Sequence, residues 1–202
     1  MLWIGGFRLR VMYLTNSRAD NQNELPLYMK TFGDEIIVKT SKFDLDYIIN
    51  ESIDFIVSDK TQFLILPDII NHLPKKIINL HPSFLPWGRG YNPNFWSIRL
   101  GFPHGVSLHF IDEGIDSGDI IAQTRISYSE SDTLKETYDR LRAHMLNLFK
   151  ICWPELRVGK LQGFPQDKNI GNIFYKKDLE KIFYKFPSKW DTTVSECINL
   201  DF

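Results

Sequence analysis

Four short runs rich in Ile, Val and Leu, Arg10–Leu14, Glu35–Val38, Asp54–Ser58 and Ile77–Leu80, alternate with helical candidates at Leu25–Phe32, Leu45–Asn50 and Leu66–Leu73. Strands separated by helices cannot pair as tight hairpins. Each is joined to the next by a crossover, and crossovers of one hand lay the strands side by side and parallel. The pattern predicts an α/β fold, a Rossmann-like, doubly wound and mostly parallel sheet. Ligands in such sheets gather outside the carboxyl ends of the strands. Asn79 and His81 stand at one such end, with the polar loop Thr15–Asn23 at another.

The second half reads differently. Gly105–Ile111 and Asp119–Ile126 alternate in the strand manner, joined by Asp112–Gly118, a connection rich in Gly and carboxylates. Ser131 or Asp132 can cap a long helix, and Thr133 with Glu136 matches a capping box. Leu134, Tyr138, Leu141, Met145 and Leu148 recur at helical spacing as a core-facing stripe, which Pro154 ends or kinks. The domain organisation expected is a catalytic unit over 1–158 and, over 159–202, an irregular aromatic extension laid on the core or on a partner subunit. Ile173–Tyr175 and Ile182–Tyr184 are its apolar runs.

Charge excludes some functions. Lys and Arg total 24 against 25 Asp and Glu, a formal net charge of −1, so no global basic field exists to hold nucleic acid. No apolar run is long enough to span a membrane, and Met1–Arg8 has no signal-peptide pattern. The only cysteines, Cys152 and Cys197, suggest neither a disulfide framework nor a zinc set, so a cytoplasmic protein is expected.

In a strand, residues i and i+2 share a face, so Asn79 and His81 direct an amide and an imidazole into one pocket. Pro82 and Pro86 stiffen the loop that follows. An amide donor beside an imidazole can stabilise charge on a reacting oxygen and move a proton. A carboxylate near His81 would fix its tautomer and raise its pKa, and Asp112 and Asp116 are both placed to supply it. A zinc site from His81, His104 and His109 lacks supporting ligand spacing, and Asp112–Asp119 fails the EF-hand pattern, so no metal is expected. No glycine-rich phosphate loop follows the first strand; Gly5–Gly6 precedes it. Neither a GxSxG elbow nor a suitably partnered Cys is present.

The motifs Asn79-x-His81-Pro82-Ser83-x-Leu85-Pro86, Arg89-Gly90, His104-Gly105-Val106-Ser107-Leu108-His109 and Gly114-Ile115-Asp116-Ser117-Gly118, in this order, resemble the formyltransferase family that uses 10-formyltetrahydrofolate. The likeness runs from about Ser58 to Ile126 and continues more weakly through Pro165–Gln166 to Leu179. It implies a catalytic trio of Asn79, His81 and Asp116, choosing Asp116 over Asp112, with His109 in support. It also implies that folate, the co-substrate, rests against two loops. Here these are Phe63, Leu64, Ile65 and Leu66, and Ile111, Asp112, Glu113, Gly114 and Ile115.

The segment Leu85–Trp96 looks most like sugar N-formyltransferases acting on nucleotide-linked amino sugars. The resemblance gives substrate contacts to Ser83, Trp87, Arg89, Gly90, Tyr91 and Asn94, with Arg89 suited to a diphosphate and Trp87 or Tyr91 to a base. The first loop lacks the glycines that the glycinamide ribonucleotide enzyme uses for phosphate. The chain length and charge count against methionyl-tRNA. The N-terminal half is shorter than the family leads one to expect. The implied function is transfer of a formyl group to a dTDP-type 4-amino-4,6-dideoxy sugar for surface polysaccharide such as O-antigen, by a homodimer joined through the C-terminal segment. The alternatives are another amine acceptor, a formyltetrahydrofolate hydrolase, or an idle folate-binding module.

Overall fold

The computed structural model describes residues 8–16 and 24–200. Gly5–Gly6 and most of the Thr15–Asn23 loop lie outside them. In chain order the elements are β1 (Arg10–Leu14), α1 (Glu24–Lys30), β2 (Glu35–Lys39), α2 (Leu45–Asn50), β3 (Phe55–Asp59), α3 (Pro67–His72) and β4 (Ile77–His81). Then follow β5 (Arg89–Gly90), α4 (Pro93–Leu100), β6 (Gly105–Phe110), β7 (Ile120–Arg125) and α5 (Leu134–Leu156). The chain continues through β8 (Ile173–Phe174), α6 (Lys176–Phe183), a 3-10 turn at Lys189–Asp191 and α7 (Val194–Asn199).

Six strands form one mixed sheet in the order β2-β1-β3-β4-β6-β7. The pairings among β1 to β4 are parallel, while β6 runs antiparallel to both β4 and β7. Along β1 the side chains alternate as a strand requires. Val11 and Tyr13 join the core under α1 and α5, whereas Met12 and Leu14 join the core under α2 and α3. Every residue of β3 and β6 is buried, as expected of central strands covered on both faces.

The long helix begins where its capping box lies: Thr133 is the N-cap and accepts from the Glu136 backbone, and the Glu136 carboxylate accepts from Thr133 N. Ser131 and Asp132 stay outside it. Pro154 does not end the helix, which continues to Leu156. The buried stripe is Leu134, Leu141, Met145, Phe149 and Trp153; Tyr138 and Leu148 fall to its edges. Full burial of a ring such as Phe149 contributes about 1.5–3 kcal/mol. Cys152 and Cys197 are buried free thiols, pushed up by desolvation, Cys197 to about 11.

The C-terminal extension is more regular than its sequence suggests. α6, α7 and the connection between them lay Leu179, Phe186, Val194 and Cys197 against Phe95, Trp96 and Ile98 of α4 in a third core. α7 has its own capping box, Thr193 with Glu196. The extension is thus packed on α4 of the same chain.

Two buried ion pairs stitch the sheet to α5. Asp34 accepts from Arg157, Trp153 Nε1 and Leu9 N. Asp59, at the end of β3, receives both terminal nitrogens of Arg142 and the Tyr13 hydroxyl. Burial and the adjacent Asp59 carboxylate raise the Tyr13 pKa strongly, so the phenol remains a donor. This cluster joins β1 to β3, the neighbours between which the strand order reverses.

Candidate active site

β4 brings Asn79 and His81 to its carboxyl end, and across the antiparallel ladder Asn79 faces His109. The β6–β7 register shifts between Leu108 and His109. Such an irregularity re-aims a side chain without changing the strand's sequence pattern. Asp116 arrives from the β6–β7 connection with φ 47°, a left-handed conformation rare for a residue with a Cβ.

These four side chains meet. Asn79 Nδ2 lies 3.2 Å from Asp116 Oδ1 and 3.3 Å from His109 Nε2. His81 Nδ1 is 3.6 Å from Asp116 Oδ2, and His109 Nε2 is 3.5 Å from Asp116 Oδ1. Gly90 N donates to Asp116 Oδ2 at 2.9 Å. Gly90 has φ +88°, and a Cβ there would stand 2.2 Å from the Phe174 carbonyl oxygen, so only glycine fits.

Hydrogen-bond partners set the tautomers. A carbonyl oxygen only accepts, so His81 Nε2, 3.0 Å from Gly88 O, carries its proton. His81 Nδ1 is then the free base, facing Asp116. His109 likewise donates through Nδ1 to Phe110 O at 2.7 Å, leaving Nε2 to accept from Asn79. Burial lowers the His81 pKa; Asp116 opposes the shift and His109 reinforces it. Burial pushes Asp116 upward, but His81, His109 and the Gly90 N–H outweigh it and hold the carboxyl below its ordinary range. Burial thus favours the neutral His81 ring, and a proton arriving at Nδ1 would be held by the Asp116 carboxylate.

A cleft of about 630 Å³ opens over this cluster. It is lined by Asn79, His109 and Asp116, and by all nine residues of the two loops singled out from sequence, Phe63 to Leu66 and Ile111 to Ile115. Leu64 is 71% exposed on its wall. His81 does not line the cleft; it stands behind Asp116, with 4% of its surface accessible. Asp112 is a loop fastener, its Oδ1 accepting from Gly114 N and Ser117 Oγ.

The residues expected from sequence to contact substrate fall in two places. Gly90 and Tyr91 line the cleft. Arg89 is buried, and its Nη2 donates to the carbonyls of Asp167 and Ile170, so its guanidinium is turned into the protein. Asn94 is buried on α4, donating to Leu134 O and Thr137 Oγ1. Ser83 is also buried, and Trp87 packs on Phe102 with ring centroids 5.2 Å apart. His104 lies outside the cluster, between Ile126 O and Asn94 Oδ1. Charge and aromaticity are legible in sequence; the direction of a side chain is not. Sequence reading also missed Phe174, Tyr175 and Lys176, which wall the cleft from the C-terminal extension, and Gln166, which holds the Asp116 loop.

Acid should disable this arrangement. His81 titrates lower folded than unfolded, so below the ordinary value of 6.5 the unfolded chain binds the proton first and stability falls with pH. Asp116 adds to the loss below 3.8. The expected thermal midpoint is flat above about pH 7 and declines steadily on acidification. Unfolding scans at constant ionic strength read this out; a midpoint that rises on acidification contradicts the assigned protonation states.

Residues 39–149, more than half of the chain, match the formyl transferase family. The chain is 39% identical to the formyltransferase PseJ from Anoxybacillus kamchatkensis, solved in complex with UDP-4,6-dideoxy-4-formamido-L-AltNAc and tetrahydrofolate; the TM-score is 0.87, with 94% of this chain and 97% of that one covered. It is 33% identical to the methionyl-tRNA formyltransferase of Geobacillus sp. (strain WCH70) over 62% of this chain and 41% of the relative. It is also 33% identical to the dTDP-4-amino-4,6-dideoxyglucose formyltransferase of Mycobacterium bovis over 53% and 45%. The chain thus spans less than half the length of these two curated relatives. With this match, and with Asn79, His109 and Asp116 on one cleft, the chain belongs to the formyl transferase family.

Proposed function

We propose that the protein transfers the formyl group of 10-formyltetrahydrofolate to the amine of a nucleoside-diphosphate-linked 4-amino-4,6-dideoxy sugar. The observation that carries this reading is the meeting of Asn79, His81 and Asp116 under a cleft lined by both expected folate loops. The cleft suits a folate: apolar walls from Leu64, Ile65 and Leu66, with backbone and carboxylate groups along the Ile111–Asp116 side. The folate supplies an activated formyl group.

The chain's own groups do the rest. Asn79 lines the cleft floor with its two amide hydrogens held by Asp116 Oδ1 and His109 Nε2, and one of them, turned from Asp116, can donate to an oxygen that gains negative charge as the amine attacks. Asp116, at the boundary between cleft and His81, receives the ammonium side of the reaction and links it to His81 Nδ1. A proton taken from the amine at Nδ1 lies between imidazole and carboxylate, where the Asp116 charge stabilises it, and it is the proton that the departing folate nitrogen would need as its bond to the formyl carbon breaks. His109 accepts from Asn79 and so holds the amide in place. No metal is invoked: His81, His109 and Asp116 offer ligand atoms within 4.8 Å of one another, but Asn79 Nδ2 donates to both His109 Nε2 and Asp116 Oδ1 and so uses acceptor positions that an ion would need.

For the acceptor, a uridine-linked sugar is the first choice, because PseJ, at 39% identity, was solved with one. This moves the thymidine expected from the sequence to second place. A ribonucleotide acceptor is disfavoured by the loop after the first strand, Thr15–Asn23, which contains no glycine for a phosphate. On this reading the enzyme works in the cytoplasm and its product feeds surface polysaccharide. The exposed Tyr184 and Trp190 support a homodimer, to be read from the mass in solution.

The test is incubation with 10-formyltetrahydrofolate and UDP- and dTDP-linked 4-amino-4,6-dideoxy sugars, beside glycinamide ribonucleotide and methionyl-tRNA. A formamido sugar nucleotide detected by mass spectrometry is expected. Formylation of only the latter two acceptors, or formate release that needs no amine, would overturn the proposal.

A further inference from the structure

We infer that residues 164–176 form a strap that completes the active site, and that Gln166 within it is a positioning residue for Asp116. The inference rests on the role proposed for Asp116 and deepens it. Asp116 holds a backbone conformation rare for a side-chain-bearing residue, and such a conformation persists where its surroundings over-determine it. Gln166 supplies that constraint. It is 7% exposed, and its Nε2 donates to Asp116 O at 2.9 Å and to Gly118 O at 2.7 Å, spanning the turn that presents the carboxylate. Gln166 Oε1 is buried and has no hydrogen-bond partner. An unsatisfied buried acceptor is unfavourable, so the side chain is held by what its nitrogen does.

The same segment grips the opposite side of the carboxylate. Arg89 N donates to Asn172 O, and Tyr91 N to Phe174 O, pairing β5 with β8. Between them Gly90 directs its N–H at Asp116 Oδ2. The backbones touch: a Cβ on Gly171 would lie 1.9 Å from Pro86 O. One strap therefore fixes the Asp116 backbone through Gln166 and its carboxylate through Gly90. Neither contact reaches a reacting atom, so the expected signature is in turnover.

The experiment compares the wild-type chain with Gln166→Met, Gln166→Glu and Asp116→Asn, measuring kcat, the KM for each substrate and the thermal midpoint. Gln166→Met keeps the volume and removes both donors; kcat should fall roughly tenfold or more, with each KM within about threefold. Gln166→Glu should regain part of that kcat, relative to Met, as pH is lowered and a protonated carboxyl can donate once. Wild-type kcat in Gln166→Met, or a collapse of kcat, KM and midpoint together without rescue by Glu, overturns the positioning role. If Asp116→Asn instead retains wild-type kcat, the reading of Asp116 fails, and the inference with it. If Asp116→Asn is crippled while Gln166→Met is normal, only the inference fails.

Discussion

Asp116→Asn is expected to lower turnover by about 10²–10⁴-fold, with the chain still folded and still able to bind folate. Asp116 accepts from Gly90 N and Asn79 Nδ2 and faces a ring nitrogen of both His81 and His109. An asparagine keeps the shape but turns one of the two acceptors into a donor, which must then oppose either the Gly90 N–H or the Asn79 amide. It also removes the charge that stabilises a proton on His81 Nδ1. Since Asp116 raises the His81 pKa against burial, its neutralisation should move the acidic limb of any residual activity to lower pH. Steady-state kinetics across pH, with folate binding followed separately, check both parts. Unchanged turnover would remove Asp116 from the chemistry.

Arg142→Met is expected to cost about 3–5 kcal/mol of stability, because it leaves the Asp59 carboxylate, wholly buried, without its counter-charge. For a chain of this size that corresponds to a fall in Tm of roughly 10 °C or more. Pairing it with Asp59→Asn should restore part of the loss, since the damage lies in the stranded charge rather than in the missing bond. Denaturant melts of the two single variants and the double variant decide it. A near-neutral Arg142→Met would mean that water reaches Asp59.

The parallel strands were legible because buried strands read as short apolar runs, and the observed β1 to β4 begin or end within a residue of the expected bounds. Asn79 and His81 were legible through two-residue periodicity, and the start of α5 through its capping box. What escaped depends on contacts distant in sequence. α6 and α7 are short and gain order by packing on α4. The inward turn of Arg89 is set by carbonyls of a segment far along the chain. The exchange of depth between His81 and His109, one behind the cleft and one lining it, follows from the loop folded over His81 and the register shift at His109. No local pattern encodes either.

The pairing of Arg89–Gly90 with Ile173–Phe174 also carries a consequence for synthesis. Chains emerge from the ribosome amino end first, and the strands that build the sheet all precede the segment that closes β5. A nascent chain can therefore assemble its sheet before it can hold Asp116 in register. Under the proposed function, competence for chemistry becomes one of the last properties the chain acquires.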